Sequence, residues 1–124
     1  MEFAFYLCPT CGKLVSAVKD TRVPLMCCGL RMQELVPNTA EASREKHMPV
    51  YTAEGNTVTV RVASAEHPME EEHFIEWVAI WTAQGGQLKT LQPGQAPAAA
   101  FALTEDDELK AVYAYCNAHG LWKA

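Results

Sequence analysis

The N-terminal part of the chain holds cysteines at a spacing that binds metal ions. Cys8 and Cys11 form a Cys-x-x-Cys pair, and adjacent Cys27 and Cys28 follow after fifteen intervening residues. Four thiolates suit a tetrahedral ion, because iron and zinc both take sulfur ligands in that geometry. Gly12 follows the first pair and gives its turn backbone freedom. The pattern predicts a four-cysteine metal site, occupied by iron or by a zinc that only stabilises the module.

A disulfide is a poorer interpretation of the same residues. A bond between neighbouring Cys27 and Cys28 would be strained, and a cytosolic redox pair would need only Cys8 and Cys11. The chain has five cysteines, so at least one thiol stays unpaired in any intramolecular scheme. A metal site accounts for the residues better.

A second set of metal-binding residue types lies wholly beyond the first. The chain has four histidines, His47, His67, His73 and His119, and its one remaining cysteine is Cys116. If these side chains converge, they fill five positions of a transition metal and leave a sixth for a ligand. An open coordination position of this kind predicts a reactive metal site and not a purely structural one. Any one of these histidines taken alone is more often an ordinary core or surface residue.

Two local patterns favour convergence. His67 and His73 flank a loop that leads into an apolar strand, and Cys116 and His119 lie at the end of the last predicted strand. Both pairs therefore sit where strands end, and loop backbone lets them approach one ion from different directions. The acidic run 70–72 is interpreted as a solvated face, since hard-ligand sites need oxygens from several segments.

Residues 1–36 are predicted to form a separate module, because they hold four of the five cysteines and little apolar material. A unit below about 40 residues usually needs a metal or disulfides to fold. The binding free energy of such a metal is then folding free energy. Segment 37–47 is predicted as a linker with one helical turn.

The pattern from Val50 onward predicts an antiparallel β-sandwich. Apolar and polar residues alternate in the first strand, and later strands are rich in β-branched and aromatic residues. The predicted strands are 57–62, 74–81, 87–91, 98–103 and 109–115, with a hairpin turn at 84–86. About six or seven short strands separated by turns are typical of a sandwich of about 85 residues. The chain is therefore predicted to be mainly β, with domains at 1–36 and 37–124.

Composition excludes several classes of protein. The chain has 124 residues, of which 49% are hydrophobic and 20% charged, so neither disorder nor a large multidomain enzyme is expected. Its 15 acidic and 10 basic residues give a formal net charge of -5, which disfavours nucleic acids and anionic membranes as partners. No signal-peptide core or membrane span is expected, and we predict a cytoplasmic protein.

Several stretches of the sequence together resemble one protein family. They are the Cys-x-x-Cys and Cys-Cys module, Glu45-Lys46-His47-Met48-Pro49-Val50, His67-Pro68-Met69-Glu70, His73-Phe74-Ile75-Glu76-Trp77 and Cys116-Asn117-Ala118-His119-Gly120-Leu121-Trp122-Lys123. The family is the desulfoferrodoxins, the two-iron class of superoxide reductases. The resemblance implies a small desulforedoxin-like or rubredoxin-like N-terminal metal module, followed by an immunoglobulin-like antiparallel β-sandwich.

The resemblance also implies two iron ions per chain. The first is bound by Cys8, Cys11, Cys27 and Cys28, a site where zinc is an alternative to iron. The second has four histidines around its equator, His47, His67, His73 and His119, and Cys116 as axial ligand. Backbone N–H groups of Ala118 and His119 are expected to hydrogen-bond the Cys116 sulfur and to damp its electron donation.

The implied reaction is the one-electron reduction of superoxide to hydrogen peroxide, with two protons taken up and no dioxygen released, in defence against oxidative stress. Lys46 is implied as the cation that attracts the anionic substrate, and Glu45 as the carboxylate that closes onto the oxidised iron. The resemblance further implies a homodimer that draws electrons from a small redox protein such as rubredoxin.

Two other functions stay open at this stage. The chain is alternatively an iron electron-transfer protein whose second metal is structural, or a zinc-stabilised binding module without redox activity. The Cys116 thiolate beside four histidines argues against the binding module, because structural zinc sites are normally four-coordinate.

Overall fold

A computed structural model describes residues 2–63 and 67–124. The chain divides into two compact units, one ending at Val36 and the other comprising Pro37–Ala124. All strand pairs in the described ranges are antiparallel, so the mainly β, antiparallel fold predicted from the sequence is confirmed. Within those ranges, no helix combines the length and the hydropathy that crossing a membrane requires.

The N-terminal unit is made of five very short strands. They are β1 (Phe5–Leu7), β2 (Leu14–Ser16), β3 (Met26–Cys27), β4 (Leu30–Arg31) and β5 (Gln33–Glu34). The first, second and fifth form a sheet in the order β2-β1-β5, and β3 and β4 form a separate hairpin. In the described part of this unit the buried residues are Phe5, Cys8 and Met32. Such a small apolar core cannot stabilise the unit alone.

The second unit is a β-sandwich preceded by one turn of helix. Its elements are α1 (Arg44–His47), β6 (Pro49–Glu54), β7 (Thr57–Val62), β8 (Ile75–Thr82), β9 (Gly85–Thr90), β10 (Ala98–Ala102), β11 (Leu109–Cys116) and β12 (Gly120–Lys123). One sheet has the order β10-β7-β6 and the other the order β12-β11-β8-β9. The predicted period-two strand 57–62 is β7, and the predicted helical turn is α1.

Apolar residues of both sheets form one core. On β7 the buried side chains are Val58, Val60 and Val62, and their neighbours along the strand are exposed. They share a cluster with Ile80 and Val112 of the other sheet. Alternation on β7 thus follows from one face lying against the opposite sheet and the other lying in water.

The β8–β9 turn lies one residue earlier than the predicted turn at 84–86. Thr82 pairs with Gly85, which leaves Ala83 and Gln84 as the two turn residues. The N–H of Gln84 donates to the Thr82 hydroxyl at 3.2 Å and to the Asp107 carboxylate at 3.1 Å. These side-chain acceptors fix the turn, and the glycines begin β9 instead.

The strand that ends at Cys116 is not the last one. It pairs with β12 in a terminal hairpin, where Cys116 ends β11 and His119 lies in the turn that follows. Cys116 also pairs with Ile75 after a β-bulge in the β8–β11 ladder. Bulges re-aim the side chains beside them. Since Pro49 pairs with Val62, the start of β6 and the end of β7 also lie together. His47 precedes the first of these strand ends and His67 follows the second.

Candidate metal centres

The adjacent cysteines of the N-terminal unit are presented by a tight hairpin turn. Cys27 pairs with Leu30, so Cys28 and Gly29 are the two turn residues, with φ of 54° and 72°. Positive φ at both positions is the signature of a type I′ turn, which normally carries Asn or Gly. In this turn the sulfur atoms of Cys27 and Cys28 lie 3.9 Å apart.

The four sulfur atoms of this unit have the spacing of a tetrahedral site. All four, from Cys8, Cys11, Cys27 and Cys28, lie within 4.8 Å of one another. Cys11 Sγ is 3.7 Å from Cys27 Sγ, and Cys27 Sγ is 3.9 Å from Cys28 Sγ. With metal–sulfur bonds of about 2.3 Å, a tetrahedron has sulfur–sulfur edges of about 3.8 Å. The donor set therefore fits a tetrahedral thiolate ion.

Backbone hydrogen bonds prepare the Cys-x-x-Cys turn for metal binding. The N–H of Cys11 donates to Cys8 Sγ at 3.4 Å, and this contact lowers the pKa of Cys8 to about 6. The hydrogen bond to Cys8 raises the pKa of Cys27 to about 12. One thiolate thus forms readily, but ionising its neighbours as well requires a cation among them.

The five donors of the second unit also converge. His47, His67, His73, His119 and Cys116 place one ligand atom each within 4.8 Å of all the others. His47 ends α1, His67 and His73 lie between β7 and β8, and the last two belong to the β11–β12 hairpin. All are brought together because these elements meet at one end of the sandwich.

The imidazoles form a closed ring of four neighbours. The ring centroids are separated by 4.6 Å from His47 to His67, by 4.8 Å from His67 to His73, by 5.0 Å from His73 to His119, and by 4.7 Å from His119 to His47. Neighbouring rings are inclined by 72° to 80°. This cyclic order places His47 opposite His73 and His67 opposite His119, as around a square. Cys116 Sγ lies 3.8 Å from His119 Nδ1.

Hydrogen bonds determine which nitrogen of His47 and of His67 is available to a metal. His47 Nδ1 is 2.7 Å from the Ser43 carbonyl and His67 Nδ1 is 2.7 Å from the Pro68 carbonyl. A donating Nδ1–H leaves the Nε2 lone pair for a metal. His67 Nε2 and His73 Nε2 are buried without a hydrogen-bond partner in the described part of the chain. Burial lowers the pKa of His67 to about 4 and also lowers that of His47, so both rings are neutral at pH 7.

One nitrogen pair has the separation of adjacent metal ligands. His119 presents Nδ1, which lies 3.0 Å from His47 Nε2. Cis ligands of an octahedral ion with bonds of about 2.1 Å are separated by about 3.0 Å. Two buried lone pairs without a partner and two nitrogens at this separation fit a metal ion bound at the centre of the ring.

Cys116 is a fully buried sulfur donor, with 0% of its surface exposed. Burial raises the pKa of its thiol, and hydrogen bonds from the backbone of Ala118 and His119 act in the opposite direction. The backbone of this turn thus favours the thiolate, as expected from the sequence. A bound cation would complete the stabilisation of the thiolate.

Lys46 and Glu45 are both exposed on α1, immediately before His47. Lys46 lines a cavity of about 530 Å³ together with His67, Glu70 and the 94–97 loop. Glu45 is absent from the residues that line this cavity. The structure therefore places Lys46 in the same cavity as His67, one of the five converging donors.

The roles of several supporting residues are not visible in the sequence. The Trp122 indole stacks on His47 with 5.0 Å between ring centroids and 20° between planes. Met69 Sδ accepts the N–H of Ile75 at 3.4 Å, at the bulge opposite Cys116. Asn38, with φ of 62°, exchanges two side-chain hydrogen bonds with the backbone of Lys123, at 3.0 and 2.9 Å. These contacts brace the loops that carry the donors.

Comparisons with known proteins agree on one family. The sequence profile described as Desulfoferrodoxin matches residues 39–124. A desulfoferrodoxin homolog of Archaeoglobus fulgidus is 42% identical over 119 residues, which cover 96% of this chain and 94% of that protein.

Solved structures are similar as well. The superoxide reductase from Treponema pallidum superposes with a TM-score of 0.85 and 35% identity, over 100% of this chain and 99% of that one. The one-iron superoxide reductase from Giardia intestinalis has a TM-score of 0.55 and 32% identity, over 64% of this chain and 95% of that one. A family profile covering most of the chain and a relative this similar over nearly its full length leave one conclusion: the chain belongs to the desulfoferrodoxin family.

Proposed function

We propose that this chain is a superoxide reductase, which reduces superoxide to hydrogen peroxide and releases no dioxygen. The observation that carries the proposal is the donor set of the second unit, a closed ring of four imidazoles with the Cys116 sulfur within 4.8 Å of their ligand nitrogens. Five donors leave one position of an octahedral ion without a protein ligand. The superoxide reductases among the similar structures support this activity.

Iron bound in the second unit would supply the single electron that each superoxide takes up. The chain's own residues hold and tune that site. The imidazoles of His47, His67, His73 and His119 would hold the iron, and the Cys116 thiolate would donate electron density to it. The backbone of Ala118 and His119 favours the thiolate, and its N–H groups would moderate that donation.

We assign Lys46 to substrate attraction. Lys46 lines the same cavity as His67, on a protein with a formal net charge of -5. A local cation is what draws a small anion to a site on an otherwise acidic surface. Lys46 can also hold a water that protonates the reduced product. We assign Glu45, on the same turn of helix, as the carboxylate available to the second metal as a further ligand.

Lys46→Ala is expected to lower the second-order rate constant for superoxide about tenfold, because it removes local electrostatic attraction. The rate should also fall less steeply with ionic strength than in the parent protein, since less attraction remains to be screened. Pulse generation of superoxide over a series of salt concentrations measures both effects.

Lys110→Ala is the matched control for this variant. It removes the same charge from the far end of β11, six residues from Cys116 or roughly 20 Å along the strand. Its ion pair with Glu108 is exposed and contributes little to stability. Equal rates and equal salt dependence for Lys46→Ala and the parent would remove Lys46 from the mechanism.

We assign residues 1–36 to a desulforedoxin-like module with a first iron at Cys8, Cys11, Cys27 and Cys28, where zinc can substitute. Residues 37–124 form the reductase domain. The sulfur spacing in the first module supports a tetrahedral thiolate site and suits either metal.

The family and the charge of the chain support proposals for its oligomeric state, its compartment and its partners. We expect a homodimer in the cytoplasm that takes electrons from a small redox protein such as rubredoxin and serves superoxide detoxification. The acidic balance of the chain, 15 carboxylates against 10 basic residues, makes nucleic acids and anionic membranes poor partners.

Rapid mixing tests the proposed activity. Iron-loaded, anaerobically reduced protein is mixed with superoxide while the visible spectrum of the second site is followed and peroxide and dioxygen are assayed. Oxidation of that site with one peroxide formed per iron and no dioxygen is the expected result. Two loaded iron sites that do not react would overturn the proposal and favour an electron carrier with a structural second metal.

A further inference from the structure

The hairpin turn between Cys116 and His119 carries a side chain that reaches another ligand segment. The Asn117 Nδ2 group donates to the Glu72 carbonyl at 3.1 Å, and Asn117 Oδ1 accepts the N–H of Phe74 at 3.1 Å. The backbone N–H of Asn117 donates to the Phe74 carbonyl at 3.3 Å. One residue of the hairpin thus binds the main chain on both sides of His73.

These polar groups lie outside the regular ladder. β8 begins at Ile75, so the peptide groups of 72–74 precede the strand. His73 itself makes an isolated bridge with Glu70, through two backbone hydrogen bonds of 3.0 Å. Asn117 supplies hydrogen-bond partners to Glu72 and Phe74, the two neighbours of His73, in place of a neighbouring strand. Asn117 belongs to the same hairpin as Cys116 and His119.

The imidazole of His73 is held differently from two of the others. His47 and His67 are oriented by a hydrogen bond from ring Nδ1 to a carbonyl, at 2.7 Å in each case. In the described part of the chain, the His73 side chain makes no hydrogen bond, and its Nε2 is buried without a partner. The direction of this ring is therefore determined by its backbone and its ring neighbours.

We propose that Asn117 is a positioning residue for the second metal site, fixing the His73 imidazole relative to Cys116 and His119. The inference rests on the proposed metal site and adds a residue that is not itself a ligand. Tying two ligand segments together keeps the donors in place before metal arrives, so less order has to be gained on binding. Residues that orient ligands in this way typically contribute 10- to 100-fold in metal affinity.

Zinc binding to the histidines of the full chain provides a test. All four histidines belong to the second donor set, and none to the four-cysteine set. The ¹⁵N NMR shifts of the imidazoles therefore report Zn²⁺ at the second site alone, whatever the cysteines bind. Titration of the apo protein against a competing chelator gives the dissociation constant, and urea unfolding of the apo protein gives its stability.

Asn117→Ala is expected to raise the Zn²⁺ dissociation constant of the histidine site about tenfold, with the His73 ring shift changed most. The apo protein should keep the urea midpoint of the parent, because water can replace the carboxamide at this exposed turn. Asn56→Ala is the control, since Asn56 lies in the exposed β6–β7 turn and should leave the dissociation constant unchanged.

Asn117→Ser keeps a residue that favours turns but whose hydroxyl is too short to bridge Glu72 and Phe74. It should show the same tenfold loss, and it decides the matter if the alanine variant fails to fold. An unchanged dissociation constant would overturn the proposal, as would a loss of affinity that matches a loss of apo stability. A chain that binds Zn²⁺ as expected and yet never reduces superoxide would overturn the proposed function alone.

Discussion

Cys116→Ser is expected to lower the rate of superoxide reduction by about 10²-fold or more, while the sandwich stays folded. Cys116 supplies the sulfur donor of the second set, and its Sγ lies within 4.8 Å of the four ligand nitrogens. A serine hydroxyl stays protonated where a thiol ionises, and oxygen is a harder and less donating ligand than sulfur. The most electron-donating ligand of the set is therefore lost.

The fold should tolerate this change. Cys116 is fully buried in the apolar core cluster, and burying an unpaired hydroxyl costs about 1–3 kcal/mol. The backbone of Ala118 and His119, which lowers the pKa of Cys116, can also donate to a serine oxygen, which offsets part of that cost. Loss of activity then reflects the ligand and not unfolding.

Rapid mixing with superoxide measures the rate, and the thiolate absorption of the second site reports the ligand directly. Elemental analysis establishes that iron is still bound. Cys11→Ser is the matched control, because it removes one sulfur from the four-cysteine set and leaves the second set complete. A serine variant at position 116 that forms peroxide at the parent rate would exclude the thiolate from the reaction.

Local patterns in the sequence predict those parts of the structure that depend on neighbouring residues. The alternation at 57–62 yields β7 with Val58, Val60 and Val62 buried, because one face of a sandwich strand must be apolar. Cysteine spacing indicates the first metal site, because two tight turns are enough to gather four sulfurs. The second metal site is indicated by its residue types alone, four histidines and one cysteine.

Features that depend on contacts between distant segments are not predictable in this way. Asn117 meets Glu72 across 45 positions of sequence, and Asn38 meets Lys123 across 85. An asparagine that braces a ligand loop looks the same in sequence as one in an ordinary turn, such as Asn56. Nor does sequence show that His119 presents Nδ1 toward Nε2 of His47, since the choice depends on the direction of approach.

The two units differ in the source of their stability. The sandwich has a core cluster drawn from both of its sheets, and this apolar burial does not depend on a metal. The described part of the N-terminal unit buries Phe5, Cys8 and Met32. Its polar network joins Tyr6, Asp20, Arg22 and Glu34. Exposed ion pairs of this kind contribute little, so the four-cysteine site must supply most of the stability.

Cys8→Ser is accordingly expected to unfold residues 2–36 and to leave the sandwich intact. Structural metal sites of this type contribute about 10–16 kcal/mol of apparent binding free energy, which is folding free energy in so small a unit. Hydrogen exchange followed by mass spectrometry should show protection lost in peptides from β1 to β5 and retained in those from β6 to β12. Stripping the metal from the parent protein with a chelator should give the same pattern in the N-terminal peptides.

Cys116→Ser provides the mirror-image control, since it alters the other donor set and should leave protection of the N-terminal peptides unchanged. Retained protection in Cys8→Ser, with its metal gone, would mean that the short strands and the Tyr6 network suffice to fold the unit. The same variant also addresses what the first metal does. If Cys8→Ser keeps both full superoxide reactivity and the proposed dimer, the first site acts on the stability of its own unit alone, because the second site then obtains its electrons without it.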